Sequence, residues 1–244
     1  MPPPFLHGVE VVEIDTGTRP IQTARSSVIG LIGTAPGADD DKWPLNVPVL
    51  VAGKRSDAAG LGTTGTLAPA IDDIFDQIGA MIVVVRVADD PTPAALTSNI
   101  IGGIDDETGA YEGLQAFLAA ESTVGVAPRI LIAPEFSQTP AVVAEMVAIA
   151  TRLRAVIVAD GPNTTDAAAM THRETLGSER IYLVDPWVKV WDTVTNAEVI
   201  RPASGRVAGV IAKSDAERGF WWSPSNRLID GITGPARAVD LDRK

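Results

Sequence analysis

Between residues 129 and 184, short apolar runs alternate with longer amphipathic stretches, and this rhythm restricts the fold more than any other feature of the chain. Residues 129–133 read as a strand. Thr139 stands as an N-cap before Pro140 at the first helical position. The helix over 140–154 then places Val142, Met146, Ile149 and Leu153 on one side. Residues 155–159 (AVIVA) form the next strand, Thr165 caps a helix ending near Gly177, and 180–184 is a third strand. Strand, helix, strand, helix, strand implies a parallel sheet covered by helices. The first half adds compatible parts: strands at 27–33 (SVIGLIG), 47–51 and 81–87 (MIVVVRV), with an amphipathic helix over 67–78. On that helix Leu67, Ile71, Ile74, Phe75 and Ile78 share one face. Asp39, Asp40 and Asp41 fall in a loop, DDPTP at 89–93 breaks the chain, and 101–109 is a further loop. Later, 188–191 and 198–200 read as a β-hairpin turning near Asn196, followed by a helix over 203–218. The fold class is therefore α/β, or α+β overall. At 244 residues and 45% hydrophobic, the chain can bury a sizeable core.

Ahead of these elements, Val9, Glu10, Val11, Val12, Glu13 and Ile14 read as an extended arm or strand. Pro2, Pro3 and Pro4 precede it and cannot join a ladder. A turn at Thr16, Gly17 and Thr18 follows, so this strand can reach another subunit as readily as its own sheet. Residues 1–8 carry no basic region and no apolar stretch of the signal-peptide kind. The longest apolar runs, about six residues, fall far short of the ~20 needed to span a bilayer. These features point to the cytoplasm, or to an assembly built there. Twenty basic against 31 acidic residues give a net charge of −11. That argues against non-specific nucleic-acid binding and against an anionic membrane surface. With no cysteine and only His7 and His172, thiolate chemistry, Cys-ligated metals and a multi-His site within one chain are excluded.

Four constellations invite a chemical reading. Gly60, Gly62 and Gly65 match the dinucleotide spacing GxGxxG and precede a helix. Residues 54–59 separate them from any strand, however, and Val87 is followed by Ala88 rather than an acid. A Gly-rich turn before a helix capped at Thr66 explains the same residues, and a Rossmann-like nucleotide-binding enzyme using Gly60–Gly65 is the alternative. The pairs Asp72/Asp73, Asp89/Asp90 and Asp105/Asp106 lack the interleaved spacing of a calcium loop and read as solvated surface. A Ser-His-Asp triad would need His172 or His7. His172 occupies an exposed helix position between Thr171 and Arg173, and no GxSxG elbow exists. The string 204–212 resembles the histidine motif of subtilisin-like proteases, but the histidine position falls on Ala203, which cannot accept a proton. Finally, Trp187 and Trp191 share a face of a hairpin strand with Lys189 between them, and Phe220, Trp221 and Trp222 precede a Pro turn. Clustered aromatics serve more often as core or subunit interface than as a sugar or base platform.

Along nearly its whole length the chain resembles the contractile tail sheath proteins of bacteriophages, in the branch shared with phage-tail-like bacteriocins. HGVEVVEI at 7–14 with GTRPI at 17–21 resembles the family's N-terminal arm, and SVIGLIGTAP at 27–36 its first strand and loop. PLNVP (44–48), LGTTGTL (61–67), IFDQ (74–77), APRIL (127–131) and WVKVWD (187–192) are similar to further blocks. The most specific stretch is 204–226, where Val207, Ala208, Gly209, Ala212, Asp215, Gly219, Trp221, Pro224 and Asn226 match the family spacing. The resemblance implies a central subtilisin-like three-layer α/β domain without peptidase activity, a smaller mixed β-rich domain and an extended N-terminal arm. It implies an arm over 1–20, a first α/β segment over 21–92, the central domain over 93–201 and the start of a C-terminal sheath domain over 202–244. It implies that Val9 to Ile14 exchange a strand with a neighbour and that Thr16 to Thr18 act as a hinge. The function implied is a structural, non-enzymatic subunit that needs no cofactor or metal. Its partners would be other sheath subunits in rings or a helix, the tail tube protein, the baseplate and the tail terminator, with no nucleic acid and no membrane insertion. Its place would be the virion tail, assembled in the host cytoplasm. Family members run beyond the equivalent of Lys244, so the resemblance implies the N-terminal and central portion of a sheath protein, with the strand that receives the arm lying further on.

Overall fold

The computed structural model describes residues 27–193 and 195–239. The arm at Val9 to Ile14 and the hinge at Thr16 to Thr18 lie outside the described residues. Six strands form one sheet: β1 (Ile29–Thr34), β2 (Pro48–Ala52), β3 (Met81–Val87), β4 (Ile130–Ile132), β5 (Val156–Asp160) and β6 (Ile181–Val184). Their order is β2-β3-β1-β4-β5-β6. Only β2 runs antiparallel to its neighbour, with Val49 opposite Val84; the other pairings are parallel. A second sheet, in the order β8-β7-β9, joins β7 (Val188–Asp192), β8 (Ala197–Arg201) and β9 (Ile232–Pro235). The helices are α1 (Leu67–Phe75), α2 (Pro93–Ile101), α3 (Ala120–Val124), α4 (Pro140–Leu153), α5 (Asp166–Glu174) and α6 (Ser204–Arg218).

The apolar run of β3 is explained by helices on both sides. Val83, Val85 and Val87 join one core with Phe117, Leu114, Ile100 and the α4 residues Val142, Met146 and Ile149. Ile82 and Val84 join the other, with Leu67, Ile71 and Ile74 of α1 and Ala208 and Ala212 of α6. A strand with period-two side chains between two apolar layers has no polar face to offer. The chain leaves β1 for β3 on one side and later passes from β4 to β5 on the other. Right-handed crossovers in opposite lateral directions place α1 and α4 on opposite faces.

The expected strands and the helices α1, α4, α5 and α6 are present within a few residues of their anticipated bounds. The hairpin β7–β8 turns where expected, with Asn196 at φ 51°. Two details differ. Thr139 makes no side-chain cap bond; its carbonyl accepts from Val143 N–H at 3.1 Å, and Pro140 alone sets the first turn. Thr165 does cap α5, accepting from Ala168 N–H at 3.1 Å. The stretch between the two halves also carries helix: α2, a 3₁₀ turn at Gly113–Ala119 and α3. In α2 the run Thr97, Ser98, Asn99 interrupts the apolar stripe, and Thr97 and Ser98 turn their hydroxyls back to the Pro93 and Ala94 carbonyls. No helix among the described residues is long and apolar enough to cross a membrane.

Candidate functional site

The end of β5 and the start of α6 meet in a fully buried polar knot. Asp160 Oδ1 accepts the Ser204 N–H at 2.8 Å and Oδ2 accepts the Ser204 hydroxyl at 2.5 Å. The Ser137 hydroxyl oxygen accepts the Asp160 N–H at 2.9 Å. Ala203, at the N-cap of α6, has no side chain that can satisfy the free amides of the first turn. Asp160 supplies that cap from a neighbouring strand. Burial pushes its carboxyl up from 3.8 to about 6, against the hydrogen bonds from Ser204 and Ser137 that favour the anion. Both serines are fully buried, and among the described residues no histidine adjoins them; the acceptor of the Ser204 hydroxyl is Asp160 itself, already engaged by the Ser204 N–H. The knot is architectural.

One helix turn along, α1 and α6 are joined by ions. Arg206 reaches Asp73 and Asp76 at 2.8 Å each, and Arg201 reaches Asp73 at 3.3 Å and Asp192 at 3.7 Å. Asp73 is only 3% exposed. The expectation that Asp72/Asp73 is solvated surface therefore fails for Asp73, because α1 buries that position against α6. Burial raises its carboxyl to about 6 even with Arg206 and Arg201 pulling the other way. Gln77 closes the same seam. Its Nε2 donates to the Asp230 carbonyl and its Oε1 accepts the Asp230 N–H, both at 2.8 Å, while Arg206 Nη1 donates to the same carbonyl at 2.6 Å. No group of three or more potential metal-ligating side chains is present among the described residues.

The Gly60–Gly65 loop has no strand leading into it; a 3₁₀ turn at Arg55–Ala58 precedes it. Its glycines serve their own loop. A Cβ on Gly65 (φ +88°) would lie 2.3 Å from the Thr34 carbonyl oxygen, and one on Gly62 3.0 Å from that of Gly37. Thr66 makes no cap bond to α1; its Oγ accepts the Thr34 N–H at 3.1 Å. Nothing in this arrangement supports the nucleotide-binding alternative. His172 is half-buried on α5 rather than exposed, with Nε2 shielded from solvent.

The 204–226 motif is placed as follows. Ala208 is buried in the α1 core, Val207 is partly buried beside it, and Gly209 lets α6 approach so closely that a Cβ would lie 2.9 Å from Gln77. Asp215 is half-buried, which raises its carboxyl. Gly219 (φ +91°) ends α6, with the Trp221 ring folded over it, and Asn226 takes φ +58° in the turn after Pro224. The large apolar side chains that follow α6 are not core: Phe220, Trp221, Trp222 and Leu228 are 63%, 72%, 56% and 86% exposed. The expected Trp187/Trp191 pair is divided. Trp187 is half-buried and donates Nε1–H to the Gly161 carbonyl at 3.2 Å, whereas Trp191 lies open on β7. Sequence reasoning missed Asp160, Ser137, Arg206 and Gln77; the available signal was an acid closing the apolar run AVIVA and an arginine in the first turn of α6.

Comparison with known proteins bears on this scaffold directly. Residues 109–244 match the family model of the phage tail sheath protein central domain, and residues 26–87 match that of the tail sheath protein Gp18 domain III N-terminal region. A prophage major tail sheath protein of Pseudomonas aeruginosa (strain UCBPP-PA14) is 45% identical over 238 residues, covering 97% of this chain and 61% of the relative. The tail sheath protein of Escherichia phage P2 is 37% identical over 245 residues, covering 98% and 61%. The chain thus spans about three fifths of the length of these curated relatives. Among solved structures, the anti-feeding prophage baseplate in its contracted state aligns with a TM-score of 0.71 at 18% identity, over 97% of this chain and 61% of that one. The anti-feeding prophage helical sheath in its contracted state gives 0.58 at 19%, over 96% and 60%. The two solved structures share the mixed α/β fold, and the family model covers more than half of the sequence: the chain belongs to the phage tail sheath family.

Proposed function

We propose that this chain acts as a structural subunit of a contractile tail sheath. Copies stack around an inner tube in a metastable extended state and, on a signal from the baseplate, rearrange to a shorter and wider one that drives the tube through a target envelope. The stored energy lies in bistable interfaces, so no nucleotide or other cofactor takes part and no bond is made or broken. One observation carries this reading. The two stretches matching sheath models, 26–87 and 109–244, each supply three strands to a single six-stranded sheet and are joined within it by the parallel β1–β4 pair. A body of that kind can move as a unit while its contacts with neighbours change.

Within this reading the central part is subtilisin-like in its three layers. The position of the catalytic histidine is Ala203, and the adjacent acid, Asp160, is consumed as a helix cap. Support for a non-catalytic role is the complete burial of Ser137 and Ser204. The divisions at 20/21, 92/93 and 201/202 mark the arm, first segment, central domain and C-terminal sheath domain. Val9 to Ile14 add a strand to a neighbouring subunit, where backbone hydrogen bonds survive a rigid-body move, and Thr16, Gly17 and Thr18 form the hinge. The remaining partners are the tail tube protein, the baseplate and the tail terminator, in a virion tail assembled in the host cytoplasm.

The test is a graft. This chain replaces the matching 61% of the Pseudomonas prophage sheath protein, and the product is viewed by negative-stain electron microscopy. Tubes are expected. Discrete particles at concentrations where the parent forms tubes would overturn the reading.

A further inference from the structure

A small cleft opens outside the carboxyl ends of β1 and β4. These neighbouring strands send the chain off in opposite lateral directions, to β3 and to β5, so the elements above them part. In open α/β sheets such a switch point is where ligands seat. Pro69, Pro134 and Pro202 wall the cleft with rigid apolar rings, and it has room for about 20 Å³, enough for one water-sized group.

The base of the cleft is Asp73, only 3% exposed. Both arginines that reach it use the same oxygen: Arg201 at 3.3 Å and Arg206 at 2.8 Å bond to Oδ1. Among the described residues no donor reaches Oδ2, and that oxygen is not sealed from solvent. Each guanidinium is also divided between two carboxylates, Arg206 between Asp73 and Asp76 and Arg201 between Asp73 and Asp192. Negative charge at the base is therefore not fully matched, and burial raises the Asp73 carboxyl in spite of both arginines. Thr66 lines the wall beside it. Its Oγ accepts the Thr34 N–H at 3.1 Å and keeps a second lone pair.

Glu135 stands at the open side. Its backbone takes φ +69°, the left-handed region that favours glycine. Strain of that kind collects where a side chain has a task. The residue is surface-exposed, yet partial burial still raises its carboxyl, and its carboxylate has no partner among the described residues.

We propose that this cleft binds a primary ammonium group, which donates to Asp73 Oδ2, the Glu135 carboxylate and Thr66 Oγ. An ammonium head is water-sized and carries three donors for three acceptors. Its methylene stem lies along the proline walls on the way out. A guanidinium is too wide for the space. Calcium needs about six to eight oxygens, and the arginine in the wall opposes a double charge. The inference is independent of the sheath reading, because it concerns one chain in solution and no contact between copies.

The test is a titration of the 244-residue chain with n-butylammonium chloride at about pH 7.5, above both raised carboxyls, followed by amide chemical shifts. Saturable shifts are expected at Ala70, Asp73 and Gly205. Tetramethylammonium at equal ionic strength, which has charge but no N–H, should leave them in place, as should butanol, which lacks the charge. Glu135→Gln should weaken binding about tenfold or more, the share of one charge-assisted hydrogen bond. That side chain lies at the surface, so melting should be unchanged. The same titration with Nα-acetyl-lysine methylamide separates the two sources of the group. Binding of both compounds assigns the cleft to a lysine side chain of a protein; binding of butylammonium alone assigns it to a free amine. Shifts that never saturate, that tetramethylammonium reproduces, or that persist undiminished in Glu135→Gln would each overturn the proposal.

Discussion

β3 and β8 are both short, β-branched strands, and they meet opposite fates. From Ile82 to Val87 every residue of β3 is buried, shared between two cores. In β8 only Val199 packs against the small cluster of Val188, Val190 and Ala203, and Ile200 stays 52% exposed. The six-stranded sheet is closed by its own helices. After β6, α6 still packs Ala208 and Ala212 into the sheet's core, but the hairpin before it and the chain after it are tethered by charged and polar groups: Arg201 and Arg206 on Asp73, Gln77 on Asp230, and Arg237 on both Asp166 and Asp185. Apolar burial is non-directional and makes a body cohere. Ion pairs and paired hydrogen bonds fix orientation while adding little net stability. A sheath subunit has use for both, one part that stays whole and one that presents surface.

The sharpest way to break this contrast is to cut a large side chain from each region. Phe117, fully buried, touches the β1 backbone closely enough that a Cβ on Gly30 would lie 3.1 Å from its ring. Phe117→Ala should lower unfolding free energy by about 4 kcal/mol. Ile200→Ser should shift it by no more than about 0.5 kcal/mol. Urea denaturation of both variants measures the difference; equal losses would mean that β8 is part of the main core after all.

Next in size is Arg206→Ala. It leaves Asp73 buried with Arg201 alone and frees the Asp230 carbonyl, and should cost about 3 kcal/mol. Its signature is local: amide exchange at Asp230 should accelerate while β1 and β3 amides keep their relative protection. Adding Asp73→Ala should recover part of the loss, because the uncompensated charge is then gone. Uniform acceleration throughout would show that the tethers and the core are one cooperative unit.

How far these regions were legible in the sequence follows from the same contrast. The sheet was readable because burial on two faces leaves an unbroken apolar run, as in 81–87, and burial on one face leaves a helical stripe, as in α4. The 3₁₀ turn at Gly113–Ala119 follows neither period, although Leu114 and Phe117 are wholly buried. The tethers were illegible. Asp73 sits in an acidic pair typical of a solvated face, and its partner Arg206 lies 133 residues away. Nothing local distinguishes an aspartate bound for a buried ion pair from one bound for water. The family motif runs through the end of α6, but spacing cannot tell an aromatic that folds inward from one that faces out.

Asp160 sits where the two regions join, and its titration gives the finest test. Its carboxyl binds a proton more tightly in the folded chain, at about 6, than at its ordinary 3.8. A group raised in this way favours folding most while it is protonated; the benefit is complete below about pH 4 and is lost as pH rises through about 6. Asp73 is raised in the same direction, so the profile of the unmodified chain sums the two. Asp160→Asn separates them. Its amide keeps an oxygen for the Ser204 N–H and never ionises, so the gap between the two proteins isolates this one proton. Between about pH 7 and about pH 4 that gap should move in favour of the unmodified chain by about 2 to 3 kcal/mol. A constant gap would mean that the donors from Ser204, Ser137 and the first turn of α6 already stabilise the anion as well as water does. The junction would then resemble the tethers, which accommodate charge, more than the core, which excludes it.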